Sequence, residues 1–372
     1  MYMKKLLSII IIIICFSCAS QKIKSPPTTN TSNSKFLSEI QEEDKNYVLP
    51  LLYATNRKKV KRNESIVFNG KRDDSLHYGI MNISIPKNHV RGNLELPTFI
   101  DKIKGHHNDT AKFFILKKNQ FLEKSIFYDS LHYYMGNLKD STQAYVFIHG
   151  YNTDFIGAAY RSAQLFFDLK ASGVPIMFTW PSKGKTYGYW KDQSMADKSA
   201  EIFKKFISET SKQLNGKPLN IIAHSMGNKV LTKALQDLPK EFPNIKFNNI
   251  IMAAPDVASS KFKNEFLDDM KNCSSSITLY SSNKDKALKV SRYLNFRKRL
   301  GFGGKHLFIA DGINTIDLSD LTCQDILSHS CFAENPVLVD IEQIFKSTYQ
   351  KDLLLKRVPR TWNQDKTYYI LK

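Results

Sequence analysis

A serine in the second half of the chain stands in a pattern typical of a catalytic nucleophile. Residues 219–223 form an apolar run rich in β-branched side chains, the pattern of a buried strand. The residues that follow are His-Ser-Met-Gly at 224–227, and apolar side chains then recur at helical spacing. A strand that enters a helix through small-x-Ser-x-Gly is a nucleophile elbow, which predicts a strained backbone at Ser225 and an exposed hydroxyl at the end of a strand. Ala223 stands where the first small residue is usually Gly.

A serine hydroxyl is a weak nucleophile at neutral pH and needs an imidazole base that a carboxylate orients. In enzymes built on this elbow, the acid and then the histidine follow the serine along the chain. His306 and His329 are the two histidines after Ser225. We favour His329 as the base because it lies between the last predicted strand, 314–317, and a closing helix. His306 lies in a Gly-rich basic stretch before that strand.

The sequence leaves a choice for the acid. Asp285 and Asp256 both follow predicted strands that come after the elbow. We favour Asp285, with Asp256 as the alternative, although Asp256 could instead cap a helix and Asp285 could be a solvated loop residue. Asp317 and Asp325 are weaker alternatives. No Cys/His spacing fits a zinc site, and this chemistry requires no metal or other cofactor.

Acyl transfer also needs hydrogen-bond donors for the oxyanion of the tetrahedral intermediate. The first expected donor is the N–H of Met226, directly after the nucleophile. The second is the N–H of Tyr151, in the loop after the strand at 145–148. We expect His149, at the start of that loop, to be structural. His224 adjoins the serine, and at an elbow its side chain points away from the hydroxyl, so we expect it to be a buried packing residue.

From residue 144 onward, short apolar strands alternate with amphipathic helices. This alternation predicts an α/β fold with a mostly parallel central sheet and helices on both faces. Functional residues then belong on loops at the carboxyl ends of the strands. Two further strands are predicted at 48–55 and 78–85, the second ending at Pro86, and residues 87–140 have a mixed pattern.

The amino terminus has the features of an exported protein. Residues 1–17 combine Lys4 and Lys5 with an apolar stretch too short to span a membrane, which predicts a signal peptide. The small residue before Cys18 resembles a lipobox, so we expect cleavage there, lipidation of Cys18 and anchoring to a membrane. An ordinary secretory signal is the alternative. No acidic residue follows Cys18 directly, which favours the outer membrane of a Gram-negative bacterium.

The rest of the chain divides into three parts by composition. Residues 18–46 carry the lipidated cysteine and a polar, flexible tether, residues 47–350 form the α/β domain, and residues 351–372 are a C-terminal tail. Cys323 and Cys331 would close a short loop around His329 if they pair, and unpaired buried thiols are the alternative.

Lys and Arg outnumber Asp and Glu by 54 to 35, which gives a formal net charge of +19. No nucleic-acid motif accompanies this charge, so we expect no nucleic-acid partner. Part of the charge is a basic run in residues 286–305. We expect a solvated face there, with attraction of anionic substrates or lipid headgroups as the alternative.

The ordered motifs resemble the α/β-hydrolase superfamily, and specifically a bacterial family of uncharacterised esterase/lipase-like hydrolases, formerly a domain of unknown function. The resemblance covers about residues 51–345. The matching stretches are 52–57, 77–86, 147–152, 178–182, 223–228, 253–257, 281–288 and 328–332. It implies the α/β-hydrolase fold and a triad of Ser225, Asp285 and His329. Ser328 stands where Gly is expected before the histidine.

These patterns together predict a membrane-anchored serine hydrolase that cleaves an acyl ester, either of a small molecule or of a lipid. Two alternatives remain open. The same triad can serve a thioesterase, an amidase or an acyltransferase. The fold can also be a catalytically inert interaction module at the cell surface.

Overall fold

The structure is a computed structural model of the chain. It describes residues 41–62, 65–137, 143–170, 173–184, 188–323, 325, 327–346, 357–362 and 366–371. The predicted signal peptide, Cys18 and most of the predicted tether lie outside the described residues.

The described strands are β1 (Gln41–Glu42), β2 (Asn46–Arg62), β3 (Ser65–Pro86), β4 (Ile115–Leu122), β5 (Ala144–Ile148), β6 (Val174–Thr179), β7 (Leu219–His224), β8 (Phe247–Ala253), β9 (Ser274–Ser281), β10 (Ile313–Asp317), β11 (Arg357–Trp362) and β12 (Lys366–Leu371).

The described helices are α1 (Phe99–Ile103), α2 (Lys124–Asn137), α3 (Phe155–Asp168), α4 (Tyr189–Gln213), α5 (Gly227–Leu235), α6 (Leu238–Glu241), α7 (Ser259–Lys261), α8 (Leu267–Asn272), α9 (Lys286–Asn295) and α10 (Asn335–Lys346). A π-helical turn (Phe262–Phe266) joins α7 to α8, and short 3₁₀ turns lie at His106–Asn108, Gly304–His306 and Cys331–Ala333.

One sheet organises the domain. Its strand order is β11-β12-β10-β9-β8-β7-β5-β6-β2-β3-β4, with β1 paired to β2. All pairs from β12 to β2 along this order are parallel. The predicted mostly parallel sheet is therefore confirmed.

At the β4 edge, the sheet extends further than the sequence predicted. β2 and β3 are much longer than predicted and pair antiparallel, and β4 continues this antiparallel edge. Polar residues break the apolar alternation of both strands, so the pattern revealed only their buried halves. β3 ends at Pro86, as predicted.

The predicted tail at 351–372 needs correction. β12 pairs parallel with β10, and β11 pairs antiparallel with β12, so the described part of this segment extends the sheet beyond residue 350. The strand at 313–317 is consequently not the last. The Pro and Arg residues of β11 obscure the strand pattern, and these residue types suit an exposed edge.

Helices cover both faces of the sheet, as predicted. In β5, Val146 and Ile148 pack on one face with apolar residues of α2, α4 and α5. Tyr145 and Phe147 pack on the other face with α3 and α10. Such alternation follows from the two-residue period of a strand. In the part of the chain that the structure describes, no helix is both long and apolar enough to cross a bilayer.

The crossovers change direction at the centre of the sheet. From β5 the chain moves to β6 on one side, and it then returns past β5 to β7 on the other side. The loops after β5 and β7 consequently separate at their carboxyl ends and leave a crevice, the usual position of a ligand site in open α/β sheets.

Candidate active site

The elbow lies at this crevice. Ser225 follows β7 and has a φ of 52°, which lies in the left-handed region that residues other than Gly rarely adopt. Its N–H donates to the Ala253 carbonyl at 2.9 Å, which ties the turn to β8. A Cβ at Gly227 would lie 2.6 Å from the carbonyl oxygens of Ile148 and His149. Gly227 thus lets α5 begin against the end of β5, and the predicted strained turn is confirmed.

The structure brings the favoured serine, histidine and aspartate together. His329 Nε2 lies 2.7 Å from Ser225 Oγ, and His329 Nδ1 lies 2.7 Å from Asp285 Oδ2. The carboxylate is 1 % exposed and the serine 4 % exposed, so both groups are shielded from water. The prediction of an exposed hydroxyl is therefore wrong for this structure, because the loop after β5 and His329 lie against the serine. Because the carboxylate can only accept, it holds the proton on Nδ1 and leaves Nε2 free to accept the serine proton.

Asp285 combines two functions at the start of α9. It is the N-cap residue, and its second oxygen, Oδ1, accepts the Leu288 N–H at 2.8 Å. The cap fixes the carboxylate in the direction that the imidazole needs. Helix capping, which the sequence left as a role for Asp256, therefore belongs to Asp285.

Asp256 does not contact the imidazole of His329. Its carboxylate accepts from Tyr189 at 2.9 Å and from Ser291, and Arg299 Nε lies 3.3 Å away. Asp256 nevertheless lies close to the elbow, because its N–H donates to the Ser225 carbonyl at 3.1 Å. Its role in the described residues is to join α4, α9 and the elbow.

The loop that carries His329 is held at several points. Asp325 accepts the N–H of His329 at 3.1 Å and that of Ser330 at 2.6 Å. Cys323 and Cys331 form a disulfide with Cα atoms 5.3 Å apart, which closes the loop around the histidine. The sequence left this pairing open and treated Asp325 as a weak alternative acid. Asp325 instead shapes the backbone of the loop.

His224 positions the base as well as packing beside it. Its Nε2 lies 3.1 Å from the His329 carbonyl, and its ring packs 4.3 Å from that of Phe332 between centroids. Burial, aided by the nearby His329, lowers the pKa of His224 well below its usual value. A neutral His224 donates from Nε2 to this carbonyl, a contact that sequence reasoning missed because it is made across 105 residues.

The electrostatic balance at His329 favours the protonated imidazole. Burial lowers its pKa, but the Asp285 carboxylate more than offsets this effect through its charge and hydrogen bond, so the pKa lies above the usual value. A raised pKa suits a base that must carry a positive charge during acyl transfer.

The expected oxyanion donors border the serine. Met226 is the N-cap residue of α5, so its N–H lies at the positive end of the helix. A Cβ at Gly150 would lie 2.9 Å from the Ser225 Cβ, so the loop after β5 touches the nucleophile. Tyr151 follows in that loop. Its N–H stays a prediction as the second donor.

A buried arginine holds the loop after β5 in place. Arg57 Nε donates to Thr179 Oγ1 at 2.8 Å, and its other nitrogens donate to the carbonyls of Ser182 and Thr153 at 2.9 and 2.8 Å. Burial lowers the pKa of Arg57 to about 9. The sequence showed this residue only as part of a family-like stretch, since nothing local predicts that an arginine on β2 supports a distant loop.

His149 lies within the same network and is structural, as predicted. Its Nε2 lies 2.9 Å from Thr179 Oγ1, and its ring stacks on Trp180 with centroids 5.2 Å apart. Burial, together with the charge of Arg57, lowers the pKa of His149 to about 3. His149 is therefore neutral at physiological pH.

The remaining candidates lie away from the serine hydroxyl. His306 Nε2 is 3.2 Å from a nitrogen of Arg292, and Asp317 accepts from Ser319 and from the Gly304 N–H. In the described ranges, no group of three or more His, Cys, Asp or Glu side chains is arranged to hold a metal ion.

One comparison with known proteins identifies the family. The family model described as "Alpha/beta hydrolase of unknown function (DUF900)" matches residues 133–347, more than half of the chain. No curated protein matches the chain. The match includes the elbow and all three side chains of the hydrogen-bonded array. The chain therefore belongs to this family of alpha/beta hydrolases of unknown function, which supports a hydrolase activity without indicating a substrate.

Proposed function

We propose that the protein is a serine hydrolase that cleaves acyl esters through Ser225, His329 and Asp285. The observation that carries the proposal is the continuous hydrogen-bonded array, with 2.7 Å from serine to histidine and 2.7 Å from histidine to aspartate. The left-handed φ of the serine supports it, because such strain persists only where the surrounding structure imposes it, and it is common at active sites.

The first half of the reaction is acylation. Ser225 Oγ attacks the substrate carbonyl while His329 Nε2 takes the hydroxyl proton, and Asp285 stabilises the imidazolium. The N–H groups of Met226 and Tyr151 stabilise the oxyanion, a contribution of about 3–4 kcal/mol for one such donor. The imidazolium then protonates the departing alcohol, and an acyl-enzyme remains.

The second half is deacylation. His329 removes a proton from a water molecule, the water attacks the acyl-enzyme, and the proton returns to Ser225 Oγ as the acid leaves. Each step uses groups of this chain and water. An ester is the proposed substrate class, with a thioester, an amide or a second acyl acceptor as alternatives on the same triad.

A fluorophosphonate probe tests the proposed nucleophile. We expect labelling of the wild-type chain, loss of labelling in Ser225→Ala and retention of labelling in Ser282→Ala. Ser282 is a suitable control because it is another buried serine, directly after β9. Unchanged labelling of Ser225→Ala would refute the assignment, and no labelling of the wild type would favour an inert interaction module.

A substrate panel tests the ester assignment. We expect Ser225-dependent hydrolysis of p-nitrophenyl esters of graded acyl length and little hydrolysis of matched anilides. Faster turnover of acyl thioesters, or transfer of the acyl group to an added alcohol in preference to water, would support the alternatives instead.

We further propose that Cys18 anchors the protein to a membrane, the outer membrane of a Gram-negative bacterium. The support is the small residue before Cys18 at the end of the short apolar segment. Metabolic labelling with palmitate tests this proposal. We expect the wild-type chain to incorporate the label and the Cys18→Ser variant to remain unlabelled. Equal labelling of both would contradict lipidation at this residue.

A further inference from the structure

Three large aromatic side chains are exposed beside the candidate active site. Trp190, in the first turn of α4, is 57 % exposed, and Tyr293 on α9 is 76 % exposed. Phe296, directly after α9, is 93 % exposed. Exposed apolar side chains of this size occur singly on many proteins, but a cluster indicates an interaction surface.

The helix ends that carry these aromatic residues are in contact. Gln193 on α4 donates to Asn295 on α9 at 3.1 Å, and Asn295 donates to the Tyr189 hydroxyl at 2.9 Å. Trp190 lies one helical turn before Gln193, and Phe296 directly follows Asn295. The three aromatic side chains therefore belong to one region, which we call the aromatic rim (Trp190, Tyr293 and Phe296).

Folding does not account for Phe296. It has φ of 53°, at the C-cap of α9, where Gly or Asn avoids the cost of the left-handed region. That cost is about 1–2 kcal/mol for a residue with a Cβ. Its ring is almost fully in water, so burial in the described domain offsets little of this cost. A phenylalanine here is explained by a partner that covers it.

The charge around the aromatic rim is positive. Residues 286–305 contain seven Lys and Arg and no Asp or Glu. Those exposed on the surface include Lys289, Arg297, Lys298 and Lys305. Arg299 is buried against Asp256, and Arg292 is half-buried.

The acidic groups of the neighbouring element do not cancel this charge. On α4, Asp192 is fully buried and accepts from Ser182 at 2.5 Å, while Lys191 beside it is exposed. Asp197, further along α4, pairs with Lys229 at 3.5 Å.

The aromatic rim is joined to the candidate site at two points. α9 begins directly after Asp285, and Tyr189, beside Trp190, packs edge-on to Tyr151 with ring centroids 5.6 Å apart. A surface that covers the aromatic rim would consequently lie close to the loops that carry the candidate site.

We propose that the aromatic rim and its cations dock the protein onto an anionic phospholipid bilayer. Aromatic side chains favour the headgroup region of a membrane, and Lys and Arg are attracted to anionic lipids. A short helix with cations and aromatic residues on its outer side has the form of an interfacial membrane contact. Phe296 is at a helix end and is 93 % exposed, and a ring that protrudes in this way suits insertion into a bilayer better than binding of a single nucleic-acid strand.

The contact is separate from the proposed anchor at Cys18, and it does not depend on catalysis. Its test uses the full chain with Ser225→Ala, so a failure of the proposed hydrolase function leaves the test intact. The probes are vesicles with brominated acyl chains, made of phosphatidylcholine alone or with about one-third phosphatidylglycerol. The measurement is quenching of tryptophan emission, compared with a Trp190→Phe variant to isolate the signal of Trp190.

We expect Trp190 to be quenched on anionic vesicles and much less on neutral ones. Combined Arg297→Ser and Lys298→Ser substitutions should lower partitioning about thirtyfold at low salt, since each cation near an anionic surface contributes roughly fivefold. Phe296→Ser should lower it by about tenfold, because the ring loses its burial in the interface.

Two control substitutions lie away from the aromatic rim. Tyr133→Ser removes a tyrosine that is 64 % exposed, and Lys205→Ser removes an exposed lysine of α4. Both should partition like the parent. α2, which carries Tyr133, contacts the C-terminal end of α4 through His132 and the Gln213 carbonyl, far along that helix from Trp190.

Three results would overturn the proposal. The first is vesicle binding without quenching of Trp190, as expected if only the N-terminal apolar segment inserts. The second is equal loss of partitioning in the control variants and the rim variants. The third is tighter binding of a DNA homopolymer than of anionic vesicles, with the same dependence on Phe296 and the two cations. Melting temperatures of all variants establish that each is folded.

Discussion

Asp285→Asn offers the sharpest test of the hydrogen-bonded array, because the structure dictates how the amide must be oriented. In the wild type, Oδ1 accepts the Leu288 N–H at 2.8 Å and Oδ2 faces His329 Nδ1 at 2.7 Å. An asparagine has one acceptor oxygen, and the helix N–H requires it. The NH₂ group must then face Nδ1, which has to give up its proton.

The consequence for catalysis follows from the tautomer. With Nδ1 unprotonated, the neutral imidazole carries its proton on Nε2 and points it at Ser225 Oγ, 2.7 Å away. It can no longer accept the serine proton. A base held in the wrong tautomer typically lowers kcat by about 10⁴, or ~5.5 kcal/mol of transition-state stabilisation. Stability should change little, because Asn and Asp are comparable N-caps.

The pH profile supplies a second readout. Asp285 raises the pKa of His329 against the effect of burial. In the wild type, kcat/KM should therefore rise with pH through an inflection above 6.5, as the imidazole loses its proton. Asp285→Asn removes the main effect that raises this pKa and leaves burial opposed by the weaker charges of Asp325 and Asp256, so any residual activity should have its inflection at a lower pH than in the wild type.

The assay measures p-nitrophenyl ester hydrolysis across pH 5–9, together with the melting temperature. The matched control is Asp256→Asn, which alters a carboxylate near the elbow that does not contact the imidazole. A loss of less than about tenfold in Asp285→Asn would refute the reasoning. So would an equal loss in a folded Asp256→Asn variant.

Three further predictions concern the surroundings of the site. Gly150→Ala places a Cβ 2.9 Å from that of the nucleophile, so we expect a loss of stability of about 1–3 kcal/mol and a loss of fluorophosphonate labelling. Gly136→Ala, in α2 with nothing within 4 Å, should reduce neither stability nor labelling. Equal melting temperatures of the two variants would contradict this. Replacing Cys323 and Cys331 by Ser opens the loop that carries the base. With a sequence separation of 8, we expect the free energy of unfolding, measured by chemical denaturation, to fall by about 2.5 kcal/mol, and the rate of fluorophosphonate labelling to fall as well. An unchanged labelling rate would show that the disulfide is not needed to position the loop. His89 lies between two carboxylates at 2.7 and 2.8 Å, and although burial lowers its pKa, these bonds raise it to about 9. Its contribution to the free energy of unfolding, up to about 3 kcal/mol, is fully present below pH 6.5 and is lost as the pH rises to about 9. Chemical denaturation across this pH range should show that the stability of the wild type falls towards that of His89→Ala as the pH rises. Stability profiles of the two variants that run parallel with pH would contradict this.

The local sequence determined the elbow and narrowed the choice of the other triad members. Residues 219–227 encode a strand, a sharp turn and a helix in immediate succession, and these are short-range signals. The order of serine, acid and histidine limited the base to two residues. The regular alternation of strands and helices from residue 144 likewise determined the parallel sheet, because hydrophobic periodicity is local.

Only the tertiary structure decided which aspartate serves His329. Asp285 and Asp256 both follow strands, and their local sequences do not state which carboxylate faces a histidine 44 or 73 residues later. The choice depends on where α9 begins and on the partners that occupy Asp256. The pairing of Cys323 with Cys331 was open for the same reason.

The contacts that the sequence did not reveal are those made across the sheet. Arg57 on β2 supports a loop about 95 residues away, and β11 and β12 join the sheet from a segment whose composition resembles a tail. Side-chain patterns report which face of an element is apolar. They do not report which distant polar group will satisfy a buried donor, since that partner is selected only when the elements pack together.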